Sequence, residues 1–245
     1  MTLDPGLGQH AGVLDALGAR IASGEHPCGT VLTIEAIGVR HGVSRSVARE
    51  AVRVLESMGL VSSRRRVGVT VQPRSCWNVL DPQVIRWRLA GADRTAQLAS
   101  LSELRRGVEP AAAALAAERA TAHHCRTLAA AVSDMVVHGR DGDLEAYLRA
   151  DSLFHRTLLE ASGNEMLGSL GDVVTAVLVG RTRHGMMPRR PNPEAIALHD
   201  EVARAVRLGE PAAAERAMRA IIDEAAAALA QEQSDASEPS DETSS

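Results

Sequence analysis

The chain has 245 residues, 45% of them hydrophobic and 24% charged, which is enough apolar content for a sizeable core and a length that suits two domains better than one. Disorder is excluded for most of it, and with no long uncharged apolar run and no basic-then-apolar leader the expectation is a cytoplasmic protein without a membrane span. Cys28, Cys76 and Cys125 are odd in number and scattered, so neither a disulfide framework nor a zinc knuckle is read from them.

The net charge of −4 hides an asymmetry. Residues 1–76 hold nine arginines against six acids, a net of +3, and the remainder carries −7. No lysine occurs, so any nucleic-acid surface belongs near the N-terminus and is built from guanidinium groups.

In chain order, Val13, Leu14, Leu17 and Ile21 form a helical stripe over His10 to Ser23, with Gly24 as a C-terminal cap. An extended stretch through Pro27 and Val31 follows. Thr33 can cap a short helix to about Arg40, Gly42 supplies a turn, and Ser44 caps a third helix ending near Gly59. Val61 to Arg65 and Val67 to Val71 read as a hairpin around Arg66, closed by Pro73. That order describes a winged helix. From Asp81 and Pro82 onward the pattern is helical, about seven helices without a convincing strand, and Ser234 to Ser245 reads as a disordered acidic tail. The expected fold is therefore mainly α. A winged helix-turn-helix spans 1–73, a linker and first helix 74–92, an all-helical bundle 93–231 and the tail 232–245.

On the helix after Ser44, Arg45, Arg49 and Arg53 recur every fourth residue, within an arc of about 80°. Ala51, Leu55 and Met58 lie roughly opposite. One face can pack inward while the other offers planar forks to phosphates or guanine edges. Ser44 and Ser46 sit at the start of that helix. Arg64, Arg65 and Arg66 beside Gly68 suit a wing tip lying along DNA.

The run Gly42-Val43-Ser44-Arg45, then Ala48 to Leu55, then Gly59-Leu60-Val61 resembles the GntR family of bacterial regulators. The resemblance covers residues 10–73. It implies that Arg45 and Arg49 contact double-stranded operator DNA and that Gly68 lets the wing approach it. The helix after Thr33 is one residue shorter than the family pattern, so no role is carried over to Glu35.

Buried helical stripes should be apolar, so the polar residues interrupting four of them need a reason. Arg105 interrupts Leu98, Leu101, Val108 and Leu115. Asp151 and His155 interrupt Leu144, Leu148 and Leu158, while His199 lies between Ile196 and Val206 and Arg181 follows Val174 and Val177. Asp151 and His155 share a helical face and can hold a divalent cation, with His199 as a third ligand. Arg105 and Arg181 can clamp the carboxylate of a small acidic metabolite. His123 and His124 fall at a helix start and read as surface residues.

This half resembles the FadR-type ligand-binding domain, the FCD domain, over about residues 80–230. The residues that carry it are Leu104 to Pro110, Asp151 with Phe154 and His155, Ser162-Gly163-Asn164 and Leu198-His199. The resemblance implies a homodimer, a metal site at Asp151, His155 and His199 holding zinc, nickel or manganese, and an effector site to which Asn164 is assigned. Ile221 stands where that family commonly places a further histidine. Trp77 to Pro82, with Trp87, resemble the linker of a galactonate-responsive branch, which implies an aldonate or related sugar acid as effector.

Two other readings stay open. The bundle can be a dimerisation module whose polar residues form a satisfied internal network. A metal-dependent enzyme is the other, although no general-base motif, nucleophile elbow or phosphate-binding glycine loop accompanies the cluster.

Overall fold

A computed structural model of the chain describes residues 5–183 and 191–237. These divide into two compact units, 1–97 and 98–245.

Unit 1 opens with α1 (Pro5–Ala22), whose Val13, Leu14, Leu17 and Ile21 are buried as the stripe predicts. Thr33 caps α2 (Ile34–His41), accepting from the Ala36 N–H at 3.1 Å, and Gly42 ends it in the left-handed conformation at φ 63°. Ser44 caps α3 (Arg45–Ser57) by accepting from the Val47 N–H. Strands β2 (Val61–Arg64) and β3 (Gly68–Val71) form the predicted hairpin, with Arg64 paired to Gly68 and Arg66 at φ 68° in the tip. The extended stretch after Pro27 is more than a connection. Its β1 (Val31–Leu32) pairs with β3, giving a sheet in the order β1-β3-β2.

The segment 74–92, expected as a linker and first helix, packs into this core. Trp77, Val84 and Trp87 are buried with the α1 and α3 side chains, and α4 (Pro82–Leu89) starts on an Asp81 cap with Pro82 in its first turn. Trp87 Nε1 donates to Asp15 Oδ1 at 3.0 Å, and Arg86 Nη2 donates to the same oxygen at 2.7 Å. The Trp87 ring lies so close to α1 that a Cβ on Gly18 would sit 2.4 Å from it. Gly18→Ala is therefore expected to destabilise unit 1 by about 1–3 kcal/mol through overpacking. A thermal melt followed by tryptophan fluorescence checks this, since both tryptophans of the chain lie in this unit.

The regular elements of unit 2 among the described residues are all helices. They comprise α5 (Arg94–Arg119), whose first residues fall in unit 1, then α6 (Ala122–Asp141), α7 (Leu144–Ala161), the single-turn α8 (Glu165–Gly168), α9 (Gly171–Arg183), α10 (Pro193–Leu208) and α11 (Pro211–Ser237). Eight helices thus follow Asp81 among the described residues, against about seven expected. Thr121, Asp143 and Asn192 cap α6, α7 and α10. His124 completes the α6 cap by accepting from the Thr121 N–H, which places the His123-His124 pair at a helix start as predicted. The core is made mainly of aliphatic residues around two aromatics, Tyr147 and Phe154, with Leu128, Met135 and Leu158 fully enclosed. Helix α11 runs to Ser237, so the acidic run from Ser234 begins as helix rather than as the disordered tail expected there. Residues 238–245 of that tail lie outside the described residues.

Candidate functional site

Each unit concentrates its chemistry in one place. In unit 1, Ala48, Ala51, Val52 and Leu55 turn α3 inward, and the remaining face exposes Arg45, Arg49 and Arg53. Between α3 and the hairpin lies a cleft of about 530 Å³ whose walls include Arg49, Arg53, Arg64 and Arg65. Guanidinium groups from the helix and from the wing therefore meet on one concave surface, a geometry that suits the ridge of phosphates beside a groove. Glu56 fixes that geometry, because its Oε1 accepts from the Ser63 N–H at 2.6 Å and ties the hairpin to the last turn of α3.

Two of the arginines are already engaged by carboxylates. Arg45 pairs with Glu35 at 2.6 Å and Arg53 with Glu50 at 2.5 Å. All four groups are exposed, so each pair is worth at most about 1 kcal/mol and a phosphate can displace it. Ser44 is held as the α3 cap, with Ser46 Oγ 2.8 Å from its hydroxyl, and both lie exposed at the helix start. Arg65 and Arg66 are exposed in the wing tip. Gly68 has a reason of its own to be glycine. Its φ of 114° disfavours any other residue, and a Cβ there would sit 2.7 Å from the Leu32 carbonyl, so the sheet requires this glycine whatever the wing approaches.

In unit 2 the polar residues that interrupt the stripes are all buried: Arg105 on α5, Asp151 and His155 on α7, Arg181 on α9 and His199 on α10. They line one cavity of about 40 Å³ together with Tyr147, Ile221 and Glu224. Asp151, His155 and His199 offer ligand atoms that lie within 4.8 Å of one another. His199 Nδ1 donates to the Ala195 carbonyl at 2.6 Å, which turns its Nε2 toward Asp151 Oδ1 at 3.2 Å. Both of those atoms are buried without a hydrogen-bond partner. A carboxylate oxygen and a ring nitrogen so close, away from water, call for a proton or a cation between them. The donor set of one carboxylate and two imidazoles fits a borderline divalent metal ion.

Glu109, to which the sequence alone assigns no role, joins the same cluster. It is 0% exposed, accepts from Arg105 Nε at 2.5 Å and lies 2.5 Å from His155 Nδ1. The signal was present, since Arg105 and Glu109 stand four apart on one helical face. Burial alone would raise the Glu109 pKa, but Arg105 and then His155 outweigh it and hold it at about 2. Burial likewise opposes charge on His155, yet Glu109 and Asp151 raise it to about 9. The sign of the pH dependence follows. The contribution of protonated His155 is complete below its ordinary 6.5 and is lost as pH rises through 9. That of Glu109 is complete above 4.5 and is lost as pH falls through 2. The metal-free protein is expected to show its highest unit 2 melting temperature between about pH 4.5 and 6.5, with a fall toward pH 9 by circular dichroism.

Asn164 does not join this cavity. Its Oδ1 caps α8 by accepting from the Met166 N–H at 3.0 Å, and the side chain is exposed.

A winged helix presenting an arginine-lined cleft, followed by a helical unit around a charged cavity, is the plan of a DNA-binding transcriptional regulator with a separate helical regulatory domain. Residues 9–71 match the bacterial regulatory proteins of the gntR family, and residues 100–224 match the FCD domain. The chain belongs to the GntR family, in its FCD-containing division, and is a regulator of transcription rather than an enzyme. It is 30% identical to the galactonate operon transcriptional repressor of Escherichia coli K12, over 86% of this chain and 92% of that protein. It is 32% identical to the HTH-type transcriptional regulator YieP of the same organism, over 66% and 71%. Among solved structures, E. coli McbR/YncC shares the fold with a TM-score of 0.55 at 19% identity, over 92% of this chain and 98% of that one. No helix among the described residues is long and apolar enough to cross a membrane.

Proposed function

We propose that the protein is a homodimeric repressor whose hold on operator DNA is modulated by a small organic acid bound in unit 2 beside a divalent cation. The two copies of α3 enter successive major grooves of a pseudo-palindromic operator, with Arg45, Arg49 and Arg53 on base edges and phosphates and Arg65 and Arg66 on the flanking backbone. The observation that carries the sensor reading is the facing pair of buried atoms Asp151 Oδ1 and His199 Nε2, 3.2 Å apart, in the cavity that Arg105 and Arg181 also line. Asp151, His155 and His199 hold the cation, whether zinc, nickel or manganese. The bound cation supplies positive charge for an oxygen of the acid, and the two arginines take its carboxylate. Similarity to the galactonate operon repressor supports an aldonate or related sugar acid. A cavity of 40 Å³ has room for about three water molecules, so an acid of that size enters only as the cavity widens. A coupling of about 1–3 kcal/mol between acid and DNA suffices for a 5 to 150-fold response.

The test is a fluorescence-polarisation titration on the DNA upstream of the chain's own gene, at stated salt, with a panel of acids from lactate to galactonate, each with and without zinc. Release by one acid supports the sensor. A second reading draws on Glu109, whose contacts with both Arg105 and His155 show how much of the network is internally balanced, and it makes unit 2 a dimerisation module only. It requires that neither an acid nor a chelator changes DNA affinity.

A further inference from the structure

A buried carboxylate has to be matched by what surrounds it, and Glu109 is matched from two helices. One oxygen takes Arg105 Nε from its own helix, and the other lies 2.5 Å from His155 Nδ1 on α7. Arg105 Nη2 stands 3.4 Å from Nε2 of the same ring. On α10 the same arrangement is made by different means, with His199 Nδ1 engaged by the Ala195 carbonyl one turn back. In both rings an oxygen outside the cluster lies within 2.6 Å of Nδ1, and Nε2 is turned to Asp151 Oδ1, at 3.4 Å from His155 and 3.2 Å from His199.

A backbone carbonyl is available on any helix. Glu109, by contrast, is a charged side chain brought in fully buried from another element to serve one imidazole. We infer that Glu109 is the positioning residue of the cation site. It holds His155 with Nδ1 turned away, so that Nε2 faces Asp151 and His199, and its negative charge strengthens that nitrogen as a donor to a metal. The inference rests on the reading of Asp151, His155 and His199 as a cation site. Its rival is structural: Glu109 serves only as the counter-charge of Arg105.

The experiment measures zinc affinity by competition with a chromophoric chelator, on the full chain, for the wild type, Glu109→Gln, Arg105→Met and the double variant Arg105→Met/Glu109→Gln. The expected result is zinc binding by the wild type and affinity about 10 to 100-fold weaker in Glu109→Gln. The loss is expected to persist in the double variant, because the contact that matters is the one to His155. Circular dichroism reports folding, and the double variant, which removes both buried charges together, carries the test if Glu109→Gln fails to fold. Wild-type affinity in the double variant overturns the inference and leaves Glu109 as a counter-charge. Unchanged affinity in a folded Glu109→Gln overturns it as well. If the wild type itself binds no zinc, nickel or manganese, the cation reading falls and the inference falls with it, an outcome distinct from the other two.

Discussion

Replacing Arg105 with methionine is expected to lower the unfolding free energy of unit 2 by about 3–5 kcal/mol while leaving unit 1 unchanged. The guanidinium is 4% exposed, and its partner Glu109 is 0% exposed. Removing the cation leaves that carboxylate in the interior with His155 as its remaining charged neighbour, and methionine fills the volume without replacing the charge. The cost comes from the uncompensated anion rather than from the lost attraction. A further variant, Arg105→Met/Glu109→Gln, is therefore expected to recover much of the stability, since a buried pair replaced by neutral groups of similar volume is often close to neutral. Two probes separate the units. Trp77 and Trp87, the only tryptophans, both lie in unit 1, so their fluorescence follows that unit alone, while far-UV circular dichroism is dominated by the longer helices of unit 2. Superimposable denaturation curves by circular dichroism for wild type and Arg105→Met would sink the claim that this pair supports the bundle.

The second large effect is expected at the DNA face. Arg49→Ala should weaken operator binding by about 1–3 kcal/mol, roughly 5 to 150-fold, with no change in melting temperature. Arg49 is exposed, so its removal disturbs no packing. It is also the arginine of the α3 stripe that has no carboxylate at ion-pair distance among the described residues, whereas Arg45 and Arg53 must first leave Glu35 and Glu50. Alanine at either of those positions is accordingly expected to cost less. A fluorescence-polarisation series across salt concentrations distinguishes the kinds of contact. Loss of a phosphate contact lowers the slope of log affinity against log salt by about 0.9, and loss of a base contact leaves it unchanged while relaxing sequence preference. Undiminished operator affinity in Arg49→Ala would remove α3 from the recognition role.

Most of unit 1 could be read from the chain because its determinants are local. Thr33, Ser44 and Asp81 are caps that act within three residues, Gly42 supplies a left-handed turn, and the four-residue spacing of Arg45, Arg49 and Arg53 fixes their common face whatever the helix packs against. Asn164 followed by Glu165 is a signal of the same kind. Asparagine before an acidic first turn caps a helix, as Asn164 does for α8.

What the sequence by itself determined is the list of elements, the outward arginine face and the fact that Arg105, Asp151, His155, Arg181 and His199 interrupt apolar stripes and so need buried partners. Which partners they find was decided by tertiary structure alone, because helix periodicity states the side a residue faces and nothing about the helix opposite. Only packing brings Glu109 of α5 to His155 of α7, turns His199 Nε2 and Asp151 Oδ1 toward each other, adds β1 to the edge of the wing hairpin and closes α1 over Trp87. Each of these depends on the fit of surfaces far apart in the chain. A buried charge can be recognised locally by the rule it breaks, but its role is set by the non-local neighbour that compensates it.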